Sequence, residues 1–565
     1  MRETLRGAFW QLLVVYTVLV VLISLNLFWK YTLHFEIFAV VLAVLGAIAL
    51  RHVGGGEDGG KKKAGESKTF VYLVLALGLV LMLMFRVIPY LGNGIPLGYD
   101  TGIYKYGIES FASSGFSVDS WVKGAFTPGF LYLMVPLVKM FSSDFILIWL
   151  YIGFTLLLGV AIYFFSKEYV GKKASLIAVL LYAVSIVQFK VFAFMYYKNI
   201  IALSCLLFAL FFLKRSCKGA HPPTLNRAGK KYHTSSPPDR VGLSDNVGKS
   251  GRGNANGGFN WSRLWFIVFG VLTGIMHRPT FFIFGLAFIS LTVQDYKNFG
   301  KNVLSGLLIL VVTIAAYIGF WEEAIFPLFK PVAESFIEPG TAPGTFLSFF
   351  TYQFSTLFYL PFAILGFMYL AWKKQFNMLF FLTAITAIIV YFQFFFFNRF
   401  IIHLDVFMIV LAGSGFALLI ENKKKLGVVV LVLMLFSAGF VTLQEARHVR
   451  PLISDDGLDL IESLGDRVEQ DAMIMVLSSE YSPWVLAYSD RRTIAPGLFE
   501  ENLWSAEQWE MFWNSQSELE TRALVEVYDK PLYLFAGTKA FNNPCFEDFL
   551  DKGGNKLLRY RCEDG

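Results

Sequence analysis

Between residues 97 and 121 the sequence reads LGYDTGIYKYGIESFASSGFSVDSW, a polar stretch directly after a long apolar run. It carries Asp100, Glu109 and Asp119 together with Tyr99, Tyr104, Lys105 and Tyr106. Asp100, in Gly98-Tyr99-Asp100-Thr101-Gly102, stands a few residues beyond the end of that run. A carboxylate at that depth is a candidate general base, able to take a proton from an acceptor hydroxyl. Ahead of IYKYGIESF the same residue also reads as a helix N-cap, and the sequence leaves both roles open.

A second set of residues suits an anion. Arg278 and Arg399, with His277, Lys198 and His403, are candidates to hold a phosphate at the level of lipid headgroups. Arginine does this through permanent charge and two-pronged geometry. Anchoring to phospholipid headgroups is the plainer role, and it is the preferred one for Lys198 taken alone. For Arg278 and Arg399, each set against an apolar helix end, a site is preferred. Glu322 and Glu323 follow a long apolar run and either assist or start a surface loop. Tyr99, Tyr104 and Glu322 are candidates to line an acceptor pocket. There is no Walker loop, HExxH, metal-spaced Cys/His cluster or GxSxG motif. Energy for a reaction would therefore come from an activated substrate, with no cofactor and no protein-bound metal expected.

The elements that must position these residues are membrane helices. Of 565 residues 56% are hydrophobic and 16% charged, against about 25% charged in soluble proteins. The net charge of +7 sits largely in short loops between apolar runs, where it sets topology and does not indicate nucleic acid. Runs long enough to cross a bilayer fall near 8–28, 31–50, 70–88, 145–166, 174–193, 196–213, 303–320, 353–372, 376–397, 400–420 and 426–443. The stretch 264–293 is broken by His277-Arg278-Pro279 into two short helices, which makes 13 crossings.

The loop 214–263 holds ten Lys/Arg against two Asp. Placing it and the other basic loops in the cytoplasm puts the N-terminus inside and residue 450 onwards outside. That threading requires 126–141, with Pro128, Pro136 and Lys139, to lie as an interfacial helix. It also collects Arg86, Tyr196, Lys198, His277, Arg278, Glu322, Arg399, His403 and Asp405 on the outer face.

The N-terminal run is taken as a retained first span. Asn260 opens a glycosylation sequon on the cytoplasmic side and is discounted. The predicted organisation is 1–69, two additional N-terminal helices with a cytoplasmic loop; 70–445, a transmembrane catalytic domain with external loop 89–144 and cytoplasmic linker 214–263; and 446–565, an extracytoplasmic domain. Residues 450–565 carry 22 of the 42 acidic residues. There GLDLIESLGDRV and SAEQWEMFWNSQSELETRALVEVY read as helices, AMIMVLSS and PLYLFAG as buried strands. Cys545 and Cys562 either pair there or stay as two thiols.

Three features together resemble the GT-C superfamily of polytopic glycosyltransferases, in particular the protein O-mannosyltransferase-like and aminoarabinose-transferase-like branch. They are Asp100 in the first large external loop, the Gly-rich helix ending in a basic-Pro turn in GVLTGIMHRPTFF, and Asn398-Arg399-Phe400 running into VFMIVLAGSGFALL. The stretch 172–215 is similar to the family's paired central helices, and the resemblance covers roughly 70–420. It implies a mainly α transmembrane bundle, to which the helix and strand patterns of 450–565 add a small α/β domain at the C-terminus. It implies a multi-pass enzyme that moves a sugar, a hexose or pentose, from a polyprenyl- or dolichyl-phosphate donor to a protein, lipid or glycan acceptor at the outer face. Asp100 would be the base, and basic residues would hold the lipid phosphate. The chain departs from the family in having Thr101 where a Glu often follows the Asp, and in its extra N-terminal spans. No WWDxG-like motif is present, which argues against the oligosaccharyltransferase branch. A transporter or flippase of lipid-linked saccharides is the competing class, but repeated broken helices would be expected of it, and only 264–293 shows a clear break.

Overall fold

The computed structural model describes residues 2–25, 40–44, 68–218, 260–294, 298–325, 347–394 and 397–562. Most of the expected span at 31–50 and most of the linker 214–263 lie outside them. The membrane part runs α1 (Arg2–Ser24), α2 (Lys68–Val87), α3 (Thr101–Ser114), α4 (Ser120–Ala125), α5 (Pro128–Val138) and α6 (Ser143–Tyr169). It continues through α7 (Lys172–Val184), α8 (Ile186–Ala193), α9 (Tyr197–Lys218), α10 (Trp261–Met276), α11 (Arg278–Gln294) and α12 (Phe299–Ala316). It closes with α13 (Phe349–Thr356), α14 (Leu360–Trp372), α15 (Met378–Tyr391), α16 (Ile401–Asn422) and α17 (Lys424–His448).

Among the described residues six helices, α2, α6, α9, α12, α16 and α17, are long and apolar enough to cross a membrane. The pairs α7–α8 and α13–α14 pass the same test as bent spans, giving up to eight. The remaining apolar stretches, among them Gln11–Ser24 within α1, are shorter. At 1.5 Å per residue α5 reaches about 16 Å, roughly half a bilayer's hydrocarbon thickness. Large apolar side chains are exposed along α2, α12 and α17, among them Leu73, Leu304 and Phe436, as a lipid-facing surface requires. The interior is one apolar cluster in which α16 is almost wholly enclosed.

Each break has a local cause. Between α7 and α8 the chain bends by 51° at Ser185. This serine adopts an extended backbone and accepts from the Gln188 amide (3.3 Å), so Ser-Ile-Val-Gln caps a new helix. The carbonyls freed at the end of α7 are answered from elsewhere. Arg86, fully buried between the Tyr182 and Phe192 rings, donates to Ala183 O (3.4 Å), and Thr442 Oγ1 donates to Val184 O (2.8 Å). Between α13 and α14 the bend is 79°, where Pro361 stands in the first turn of α14 and supplies no amide hydrogen. Thus 264–293 is one of three broken stretches among the described residues. The other two carry no charge or proline pair at the bend, and their causes are a serine cap and the first-turn proline.

The C-terminal part contains α18 (Asp455–Glu462), β1 (Met473–Val476), α19 (Ser482–Tyr488), β2 (Arg492–Ile494), α20 (Ala506–Asn514), α21 (Glu518–Val525), β3 (Leu532–Gly537), β4 (Phe546–Lys552) and β5 (Asn555–Tyr560). The five strands form one mixed sheet in the order β2-β1-β3-β5-β4, parallel in β2-β1-β3 and antiparallel in β3-β5-β4. The strands β1 and β3 coincide with the two apolar runs. The hairpin β4–β5 escaped the periodicity because β4 is half solvent-facing, with the pattern FEDFLDK. The single helix expected over 505–528 is two, since Ser517 caps α21 by accepting from Glu520 N (3.4 Å). Cys545 and Cys562 form a disulfide.

Candidate active site

Asp100 closes a loop that the chain holds by close approach. Gly98 has φ +84°, a left-handed conformation that glycine adopts without strain. A Cβ there would lie 2.9 Å from Met195 Cβ and 3.1 Å from Ala193 O. The loop therefore sits directly on the turn joining α8 to α9, and Lys198 stands in the first turn of α9. Asp100 precedes α3 with helical backbone angles, and its side chain makes no capping hydrogen bond. The cap role left open by the sequence is not the one adopted, and the carboxylate is left available.

The half-buried carboxylate lies within electrostatic reach of Lys198 and Arg399. Burial pushes its pKa above the ordinary carboxylate value, and the two cations pull it back in part. Lys198 Nζ donates to Ala125 O (2.7 Å) and sits 4.9 Å over the Phe126 ring and 5.6 Å over Tyr104. Lys198 is thus drawn inwards beside Asp100, away from the headgroup-anchor role it suggests when read alone. Arg399 is exposed at the end of a 3₁₀ turn, and its charge acts on Asp100, Tyr104, Tyr196, Lys198 and His277 alike. Tyr104 is buried against Phe126, Phe130 and Tyr197, and burial together with Asp100 raises its phenol pKa. Tyr99 is buried beside Asp100 in the chain.

The other sequence candidates are placed differently. Arg278 donates to Ala324 O (2.8 Å) and Gly124 O (3.0 Å), so its guanidinium ties two loops together. His277 and His403 are buried and share one hydroxyl. His277 Nδ1 and His403 Nε2 lie 2.8 and 2.9 Å from Thr280 Oγ1, so the hydroxyl bridges the two rings. Glu322 is exposed, while Glu323 pairs with Lys123 (2.7 Å) and is held below the usual carboxylate pKa by that bond. Glu109 accepts from Ser143 Oγ (2.6 Å) and pairs with Lys105 (3.1 Å), and Asp119 accepts from Tyr106 (2.6 Å). Those two carboxylates act as loop fasteners. Tyr196, one residue before the α9 start and collected with the outer-face residues in the sequence without a role, is a neighbour of Asp100 and Arg399.

The C-terminal sheet domain seats on the same loop. Helix α19 packs along α3, Tyr488 OH donates to Asp144 (2.7 Å) and Lys105 Nζ lies 4.6 Å over the Tyr488 ring. Ile95 joins the apolar core of the sheet domain itself.

A crystal structure of the Archaeoglobus fulgidus oligosaccharyltransferase in the apo form matches with TM-score 0.61 at 13% identity, over 84% of this chain and 70% of that one. ArnT from Cupriavidus metallidurans in the apo state matches with TM-score 0.53 at 10% identity, over 88% of this chain and 98% of that one. The chain has the fold that these two structures share. ArnT bound to undecaprenyl phosphate also matches, with TM-score 0.52 at 11% identity, over 87% and 98% of the two chains. No protein-family model and no curated protein matches the sequence. The likeness to these structures, over 84% and 88% of the chain, is wider than the 70–420 stretch that carries the sequence motifs. It includes ArnT, the branch those motifs indicate, and also an oligosaccharyltransferase, although no WWDxG motif is present. The fold by itself does not separate the two branches.

Proposed function

We propose that this chain is a membrane glycosyltransferase that moves a sugar from a polyprenyl- or dolichyl-phosphate donor to an acceptor hydroxyl or amine at the outer membrane face. The observation that carries the reading is the uncapped Asp100 carboxylate held beside Lys198 and Arg399. In the reaction the acceptor atom attacks the anomeric carbon and the bond from that carbon to the phosphate oxygen breaks. The acceptor proton goes to Asp100, and the lipid phosphate leaves with its charge held by Arg399 and Lys198. Arg278, His277 and His403 support the walls of the phosphate site, and Tyr99 and Tyr104 flank the acceptor. Since the donor is already activated, no cofactor or metal is required.

Two neighbours support the donor class: one structure of AglB is a complex with an inhibitory peptide and a dolichol-phosphate, and one of ArnT is bound to undecaprenyl phosphate. We further propose the 13-span threading, with the N-terminus inside and 446–565 outside, the side on which a Cys545–Cys562 disulfide persists. The sugar is a hexose or pentose, and the acceptor is a protein, lipid or glycan. Reconstitution with radiolabelled polyprenyl-phosphate sugars tests the reading: release of lipid phosphate coupled to an acceptor supports it.

The two bent spans favour one competitor, a flippase for lipid-linked saccharides, because discontinuous helices frame transporter sites. Movement of the saccharide across proteoliposomes without cleavage of the sugar–phosphate bond would establish that competitor instead.

A further inference from the structure

Asp405 has no part in the chemistry above, yet it is fully buried in the first turns of α16. Its carboxylate receives three hydrogen bonds. Gln188 Nε2 and Ser185 Oγ donate to Oδ2 at 2.6 and 3.4 Å, and the Tyr359 hydroxyl donates to Oδ1. Ser185 is the residue at which α7 breaks from α8, and Tyr359 is the residue immediately before α14. One carboxylate on a continuous helix therefore holds the break point of both bent spans. The residue type follows from the neighbours. All three present hydrogens, and an ionised carboxylate is acceptor-only, with about four lone-pair positions. Asparagine would keep one acceptor oxygen and turn an NH₂ towards donors, leaving buried groups unpaired.

Both spans lead from that point to the site. Helix α8 runs into the turn at 194–196, on which Gly98 rests, and then to Lys198. Just ahead of α13, the Leu347 amide donates to Tyr196 OH (3.3 Å). The Tyr196 phenol in turn feels the charges of Asp100 and Arg399. The bent spans are thus joined twice, at Asp405 in the interior and at Tyr196 beside the site.

We propose that Asp405 is a positioning residue: by holding Ser185 and Tyr359 together it sets the placement of the Lys198 turn against the Asp100 loop. The functional part of this inference rests on the lipid-phosphate reading above, while its structural part stands apart from it. The test uses full-length protein in lipid nanodiscs, with dolichyl phosphate as the probe and amide hydrogen exchange as a second readout. Asp405→Asn is compared with Ser185→Ala, Tyr359→Phe and Thr386→Val, the last a control whose hydroxyl bonds only to carbonyls of its own helix.

Asp405→Asn is expected to raise exchange in both 186–200 and 347–360, to weaken dolichyl phosphate binding about tenfold and to displace its pH profile. Thr386→Val is expected to lower Tm without those changes. Adding Ser185→Ala to Asp405→Asn should then produce little further effect, because the two act through one contact. Exchange that rises in one span only, or an Asp405→Asn protein indistinguishable from Thr386→Val, overturns the proposal. If the wild-type protein binds no dolichyl phosphate, the lipid-phosphate reading fails, and the exchange comparison still decides whether Asp405 couples the spans.

Discussion

A Cβ on Gly102 would lie 1.9 Å from the carbonyl oxygen of Pro483. Backbone meets backbone at this point, two residues beyond Asp100, so neither side has a flexible group to move aside. In a free helix Gly→Ala stabilises by roughly 0.5–1 kcal/mol. Here the overlap outweighs that gain. We expect Gly102→Ala to lift the sheet domain from α3, to expose the 449–454 junction to protease and to reduce transfer. Unchanged proteolysis would mean that the domain does not seat on α3.

Replacing Asp100 by asparagine removes the proton acceptor while keeping its shape. Transfer should fall about 10²–10⁴-fold, the usual contribution of a positioned base. Thermal unfolding and dolichyl phosphate binding should stay close to wild type, because the side chain caps no helix. Full activity in this variant removes the proposed mechanism.

The pH dependence has a defined sign. The deprotonated carboxylate is the active form, and burial raises its pKa. The rate should therefore be complete at high pH and fall as pH drops through a midpoint above ~4, the unperturbed carboxylate value. Lys198 pulls that pKa down. In Lys198→Met the midpoint should move to higher pH, and a shift to lower pH contradicts the assignment.

Arg278 and Arg399 should separate in their effects. Arg278 holds Gly124 O and Ala324 O, so Arg278→Gln should lower Tm, by several degrees if about 2 kcal/mol is lost from two charge-assisted bonds. Arg399 is exposed at the site, so Arg399→Gln should raise KM for the lipid-phosphate donor and leave Tm nearly unchanged. The reverse pattern would exchange the two roles.

Several features were legible in the residues alone. Long apolar runs separated by basic loops specify membrane helices, because a bilayer leaves backbone groups no partner outside a helix or closed barrel. Local chemistry located the carboxylate loop, the break at His277-Arg278-Pro279 and the strands β1 and β3. Arg399 and Lys198 were recognisable as basic residues at helix ends, and composition separated the acidic C-terminal part. Local signals did not distinguish an uncapped Asp100 from a helix cap, nor a phosphate ligand from Arg278, whose fork is spent on two carbonyls. Only the folded chain brings Gly98 onto Met195, Gly102 onto Pro483, and Ser185 and Tyr359 onto Asp405. These contacts join residues far apart in sequence, and periodicity and capping rules reach only a turn or two along the chain. What the sequence by itself determined was which runs are long and apolar enough for a membrane and which polar residues have the chemistry for a site. Tertiary packing decided which of those residues meet, because a side chain buried among helices takes its partners from whichever helices pack beside it.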